Sequence, residues 1–92
     1  MPLSLTFTGH ALRAMMDEDI DFDEVRGAIE REDVIERYES DRPYPSRLLL
    51  GRSGPRPLHV VVATDEAGGH IVITAYVPDP TRWSGDFRRR TT

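Results

Sequence analysis

The sequence contains no cysteine and no lysine. Without cysteine, neither a disulfide framework nor a thiolate metal site can form. That agrees with a reducing compartment, and a cytoplasmic location is expected. No apolar run approaches the roughly 18 residues of a membrane span, so no membrane association is expected. The opening "MPLSLTFTGH" has neither a basic region nor a long apolar stretch and does not read as a signal peptide. Metal-ligand spacings such as H-x-x-x-H are missing as well. The run "DEDIDFDE" shares only its composition with a calcium loop, because the Gly and the terminal Glu are not at the required offsets. "GRSGPRP" is too short for a phosphate loop, and no helix follows it. No metal and no cofactor are expected.

What remains is an ordinary globular balance. The 92 residues are 38% hydrophobic and 30% charged, enough for a single domain over residues 1–92 with one modest core. The net charge of −4 is unevenly spread. Residues 17–41 carry twelve Asp or Glu against three Arg, whereas residues 42–92 carry eight Arg against four acids. An isoelectric point near 5.3 argues against indiscriminate nucleic-acid binding. The C-terminal half alone can still offer a basic surface to an anion. All twelve cations are Arg, whose planar fork suits phosphate, although GC-rich coding produces the same bias.

Periodicity divides the chain into seven elements. "LSLTF" (3–7) alternates like a strand. Thr8 is placed to cap a helix from Gly9 to about Glu18, with Leu12, Met15 and Met16 toward the core and His10, Arg13 and Asp17 opposite. Asp21 and Glu24 form a capping box for a helix over Phe22 to Arg31, with Ile20 and Val25 as its staple. Phe22, Val25, Ala28 and Ile29 make its apolar stripe. Strands are expected at 34–39, 46–52, 57–64 and 70–77, followed by an irregular Arg-rich tail, 78–92, with room for one helical turn. The order β-α-α-β-β-β-β implies an α+β fold with two helices on one face of an antiparallel sheet.

Register arguments locate candidate chemistry. Pairing Asp65 with His70 closes a four-residue loop and sets Leu58, Val60 and Val62 opposite Val77, Ala75 and Ile73 on one apolar face. His59 then faces Tyr76 on the other side. A three-residue loop, Ser53 to Pro55, puts Leu48 and Leu50 on the apolar face and adds Arg47 and Leu49 to the face of His59 and Tyr76. That face would gather a cation for phosphate, a proton carrier and a phenolic donor. A plainer reading stands beside it: a His–Tyr cross-strand pair stabilises a sheet by ~0.2–1 kcal/mol with no further task. His10, in a first helical turn, is either a neutral proton acceptor beside free backbone N–H groups or a surface residue. Arg13 either binds phosphate or pairs with Asp17 at i+4. Trp83 is expected to fold back onto the sheet.

Four segments carry a resemblance over about Thr6 to Arg90: "T-x-H-A-L-x-x-M", "DRPYPSRLLLGR", "RPLHVVVA" and "ITAYVPDPTRW". Together they resemble a small prokaryotic domain family of unknown function, distantly similar to the RelE/BrnT-type ribonuclease toxins. The chain departs from that pattern at Glu18 and Asp19, where members usually read Arg-Gly. The resemblance implies a RelE-like fold and metal-independent RNA cleavage by 2′-hydroxyl attack. It also implies a toxin–antitoxin setting in which an antitoxin protein is the partner. It carries over to His10, His59 and Tyr76 as candidate catalytic residues and to Arg13, Arg47 and Trp83 as candidate substrate-binding residues, to which Arg82 of the same tail is added. The alternative is a non-catalytic protein-interaction module that uses the acidic second helix and the Arg-rich tail as partner surfaces.

Overall fold

A computed structural model describes residues 4–91; Leu3, expected to open the first strand, and Thr92 of the tail lie outside the described residues. The elements are β1 (Leu5–Phe7), α1 (Gly9–Glu18), α2 (Phe22–Arg31), β2 (Val34–Tyr38), β3 (Ser46–Ser53), β4 (Arg56–Thr64) and β5 (His70–Tyr76). The expected order and the α+β class are both observed. The sheet runs β1-β5-β4-β3-β2. It is mixed rather than wholly antiparallel, because β1 pairs with β5 in parallel. No helix among the described residues is long and apolar enough to cross a membrane.

Both helices begin as the capping rules require. The Thr8 hydroxyl accepts from Ala11 N at 3.0 Å and donates to the Ile73 carbonyl at 3.0 Å, tying the start of α1 to β5. Asp21 and Glu24 complete a reciprocal capping box on α2. The ends break the usual rule. Asp19 and Glu32 take the left-handed conformation, φ 55° and 52°, where glycine is favoured. Asp19 is one of the two positions at which the sequence departs from the Arg-Gly of its resemblance.

The helices cover one face, where Ala11, Met15, Val25, Ala28 and Ile29 pack on Leu49, Leu58, Val60, Val62, Val72 and Ala75. Gly51 permits the close approach of α2 to β3, since a Cβ there would lie 2.6 Å from the Ala28 Cβ. Three residues expected in the core do not enter it. Leu12, Met16 and Phe22 are 40%, 81% and 55% exposed, because Ala11 and Met15 occupy the α1 contact and the sheet ends before Phe22 is covered.

Two registers also differ from expectation. Between β3 and β4 the turn has two residues, Gly54 and Pro55, rather than three, so Ser53 pairs with Arg56. Gly54 has φ +60° and Pro55 fixes the next φ, the pattern of a type II′ hairpin turn. A one-residue change in register moves every side chain to the opposite face. Leu49 therefore joins Val60 on the helix side, and Leu48 and Leu50 lie on the far side. Arg47 is not on the face of His59; it is on the helix side, hydrogen-bonded to both Glu32 carboxylate oxygens and to Thr64. Between β4 and β5 the expected pairs His59–Tyr76, Val60–Ala75 and Val61–Thr74 are present. Beyond them a bulge at Ile73 pairs Val62 with Val72 and Thr64, rather than Asp65, with His70. The bulge turns Val72 into the core and removes Ile73 from it.

Asp19→Gly is expected to raise stability by ~0.5–1 kcal/mol, because an L side chain in the left-handed region is disfavoured. Gly51→Ala is expected to lower it by ~1–3 kcal/mol through overpacking against Ala28. Urea denaturation of the two variants checks both signs.

Candidate functional site

The second face of the sheet is covered by the tail. Residues 78–91 form turns and one isolated bridge, Trp83 to Arg90, and no helical turn among the described residues. Trp83 folds onto the sheet, with its ring edge-on to the His59 ring at 4.5 Å. Two ion pairs fasten the tail. Arg88 donates to both oxygens of Asp33 at 2.7 and 2.8 Å, and Arg90 to both oxygens of Glu36 at 3.0 and 3.1 Å. Arg90 also lies 4.7 Å above the Trp83 ring, a cation–π contact. Much of the basic charge of the C-terminal half is thus spent on the acidic N-terminal half rather than held open for an anion.

His59 is fully buried beneath this cover. Its Nε2 is 2.9 Å from the Phe87 carbonyl, and its Nδ1 is 3.3 Å from the Tyr76 hydroxyl. A carbonyl oxygen only accepts, so Nε2 carries the proton and donates it. Nδ1 is then unprotonated and accepts from the Tyr76 O–H. Burial holds the His59 pKa below its usual 6.5, against the opposing pull of the Phe87 hydrogen bond and of Glu36. Burial likewise pushes the Tyr76 phenol up from 10.0. On the edge strand β2, burial and the Glu36 hydrogen bond raise Tyr38 to about 12. For Glu36 itself burial acts upward, but hydrogen bonds from Arg90 and Tyr38 bring it below its usual 4.5.

Beside this pair lies an open hollow of about 330 Å³ lined by Glu18, Tyr76, Val77, Asp79, Arg82, Trp83 and Arg90. It presents a phenol, two guanidinium groups and an indole. Arg82 is the freer cation, with its side chain 83% exposed and only a 4.0 Å contact to Asp79. A surface pair of that length adds little stability.

Four of the sequence candidates therefore come together here: His59, Tyr76, Arg82 and Trp83. The other three do not. Arg47 is held by Glu32 on the opposite face. His10 and Arg13 are exposed on α1. It is the far end of that helix, at Glu18, that reaches the hollow, and His10 lies about 12 Å earlier along the axis at 1.5 Å per residue. Arg13 forms no ion pair with Asp17 among the described residues. Sequence reasoning missed Glu36, Tyr38, Arg90 and the Phe87 carbonyl. The alternation of "VIERYE" did carry a signal for two of them, since Glu36 and Tyr38 are two residues apart and share a face. Among the described residues no group of three His, Asp or Glu side chains is placed to hold a metal.

Fold and site together define a small α+β domain whose tail-covered sheet face keeps an imidazole–phenol pair beside two guanidinium groups. The chain belongs to the DUF4258 family, a domain of unknown function, which matches residues 7–77. No curated protein and no solved structure matches it. The family match takes in His10, Arg13, Arg47, His59 and Tyr76; Arg82, Trp83, Phe87 and Arg90 lie beyond it.

Stability should fall on acidification in two stages. His59 is depressed in the folded protein, so its contribution is complete above pH 6.5 and is lost as pH falls toward its folded pKa, at no more than about 1.4 kcal/mol per pH unit. Asp33, held below its usual 3.8 chiefly by the Arg88 hydrogen bonds, and Glu36 act in the same direction at lower pH. Urea midpoints measured from pH 8 to 3 are expected to show both stages, and His59→Gln is expected to abolish only the upper one.

Proposed function

We propose that this domain cleaves RNA without a metal ion, as the RelE/BrnT-type toxins it resembles do, with Tyr76 and His59 as its proton relay. The observation that carries this reading is the hydrogen-bonded chain from the Phe87 carbonyl through His59 to the Tyr76 hydroxyl, which ends at a hollow lined by Arg82 and Arg90. A reactive hydroxyl, a base within hydrogen-bond reach and a third group that orients the base form the general pattern of an activated site.

In this reading the Tyr76 oxygen takes the proton of an RNA 2′-hydroxyl as its own proton passes to His59 Nδ1. The 2′-oxygen bonds to the adjacent phosphorus, and the bond from phosphorus to the 5′-oxygen breaks. The proton returns from His59 through Tyr76 to the departing 5′-oxygen. The products are a 2′,3′-cyclic phosphate and a 5′-hydroxyl. Arg82 and Arg90 offset the extra charge on the phosphate as it forms. In a toxin–antitoxin setting a partner protein would restrain this activity.

A second reading, a non-catalytic interaction module, draws support from the complete burial of His59 under Trp83. One experiment separates the two. Purified protein is incubated with end-labelled RNA in EDTA and in Mg²⁺, and the product termini are identified. The catalytic reading expects cyclic-phosphate ends in both buffers. It expects a loss of ~10²–10⁴-fold in Tyr76→Phe and His59→Gln, with little change in His10→Ala and Arg47→Ala. Absence of cleavage in either buffer, or wild-type rates in Tyr76→Phe, overturns it.

A further inference from the structure

The helix side carries a second surface that the relay does not use. Leu12, Met16 and Phe22 are large, apolar and exposed, and they surround a hollow of about 300 Å³. Met15 and Ile20 form its floor, and Asp21 is the polar residue in its wall. The hollow exists because α1 and α2 meet at an elbow of three residues, Asp19 to Asp21. Phe22 is held there by an edge-on contact with Phe7 at a centroid distance of 4.9 Å. Scattered exposed apolar residues are normal, but three converging on one apolar hollow mark a contact site.

The rim of the hollow is acidic. Asp17, Asp19, Asp21 and Asp23 are all exposed, and none forms an ion pair among the described residues. One cation reaches the elbow: Arg56 of β4 donates to the Glu18 and Asp19 carbonyls at 3.0 Å and lies 3.9 Å from Glu24, which leaves the four aspartate carboxylates without an ion pair. This charge selects among occupants. A second copy would bring two acidic rims together across a two-fold interface, an arrangement of like charges that is costly. Anionic lipid headgroups would be repelled in the same way. A partner segment with apolar anchors and flanking Lys or Arg satisfies both features. An amphipathic helix does so most economically, since its anchors at i, i+3, i+4 and i+7 form one stripe.

We infer that the α1–α2 elbow is a docking site for a basic amphipathic helix of another protein. One apolar anchor of that helix enters the hollow between Met16 and Phe22, and its cations face Asp17, Asp19 and Asp23. Glu18, next to Asp19, lines the hollow beside Tyr76, but the two hollows share no lining residue, so the inference stands independently of the RNA-cleavage reading.

The test uses the full chain and two fluorescent peptides of about 16 residues, roughly four helical turns. Both contain only Leu and Lys in the same proportion; one has its leucines in a helical stripe and the other has them scattered. Anisotropy is expected to show the striped peptide binding at least about tenfold more tightly. Met16→Glu and Phe22→Ser are each expected to weaken it by about tenfold or more while leaving circular dichroism and RNA cleavage as in the wild type. Raising salt from about 50 to about 200 mM is expected to weaken binding, and Asp17→Asn with Asp23→Asn to flatten that dependence. Equal binding of both peptides, or no binding, overturns the inference. So does a wild-type dimer in sedimentation equilibrium that Met16→Glu dissolves, which would make a second copy the occupant. Met16-dependent binding to phosphatidylcholine vesicles would make it a membrane.

Discussion

Ser53 pairs with Arg56 across the Gly54–Pro55 turn, and this pairing assigns each residue of β3 to a side of the sheet. Gly54 supplies the positive φ at the first turn position, and Pro55 has the φ of the second built into its ring. From that turn the ladder runs back through Gly51–Leu58, Leu50–His59 and Leu49–Val60. Gly51 thereby faces Ala28 and admits α2, Arg47 meets Glu32 at the end of α2, and Leu50 lies beside His59 beneath the tail. A turn one residue longer would put Leu50 where Gly51 must be and lift α2 off the sheet.

The two faces that result are closed by different forces. On the helix side the contact is apolar, and its strength scales with buried area. On the other side an edge-on contact of Trp83 with His59 is enclosed by charge-assisted hydrogen bonds from Arg88 to Asp33, just before β2, and from Arg90 to Glu36 within it. Part of the uneven charge of the sequence is thus an internal matter, since Asp33 and Glu36 pair with the basic tail. The cover also sets the state of the His59 ring. The Phe87 carbonyl fixes the tautomer of His59, and Trp83 covers its ring edge-on. Burial keeps the imidazole neutral, and a neutral imidazole is what the Tyr76 hydroxyl needs as an acceptor.

Much of the fold was legible because local rules and tertiary contacts agree. The Thr8 cap, the Asp21–Glu24 capping box and all seven elements follow from short-range pattern, and the His59–Tyr76 pairing followed from continuity of one apolar face. The misjudged register of β3 has a physical cause. "LLL" and "VVV" do not alternate, because these central strands are buried on both sides, by helices on one and by the tail on the other. Alternation carries no information on such strands. The runs themselves were the available signal for a second cover. Leu12, Met16 and Phe22 were assigned to the core because periodicity reports which residues are apolar, not how far the sheet extends beneath them. Arg47 was placed with the site by the assumed register and by the resemblance. Arg90 and the Phe87 carbonyl were not legible, since an irregular tail has no period from which to infer where a main-chain oxygen will fall.

The account rests on the protonation state of one buried ring. Nitrogen-15 NMR of the histidine side chains at pH 7 reads it directly. The expected result is a neutral His59 in the Nε2–H form, with Nδ1 showing the shift of an unprotonated, hydrogen-bonded nitrogen that Tyr76→Phe moves toward the free value. A His59 protonated on both nitrogens at pH 7, or neutral with its proton on Nδ1, would contradict the account, because neither form can accept the Tyr76 proton.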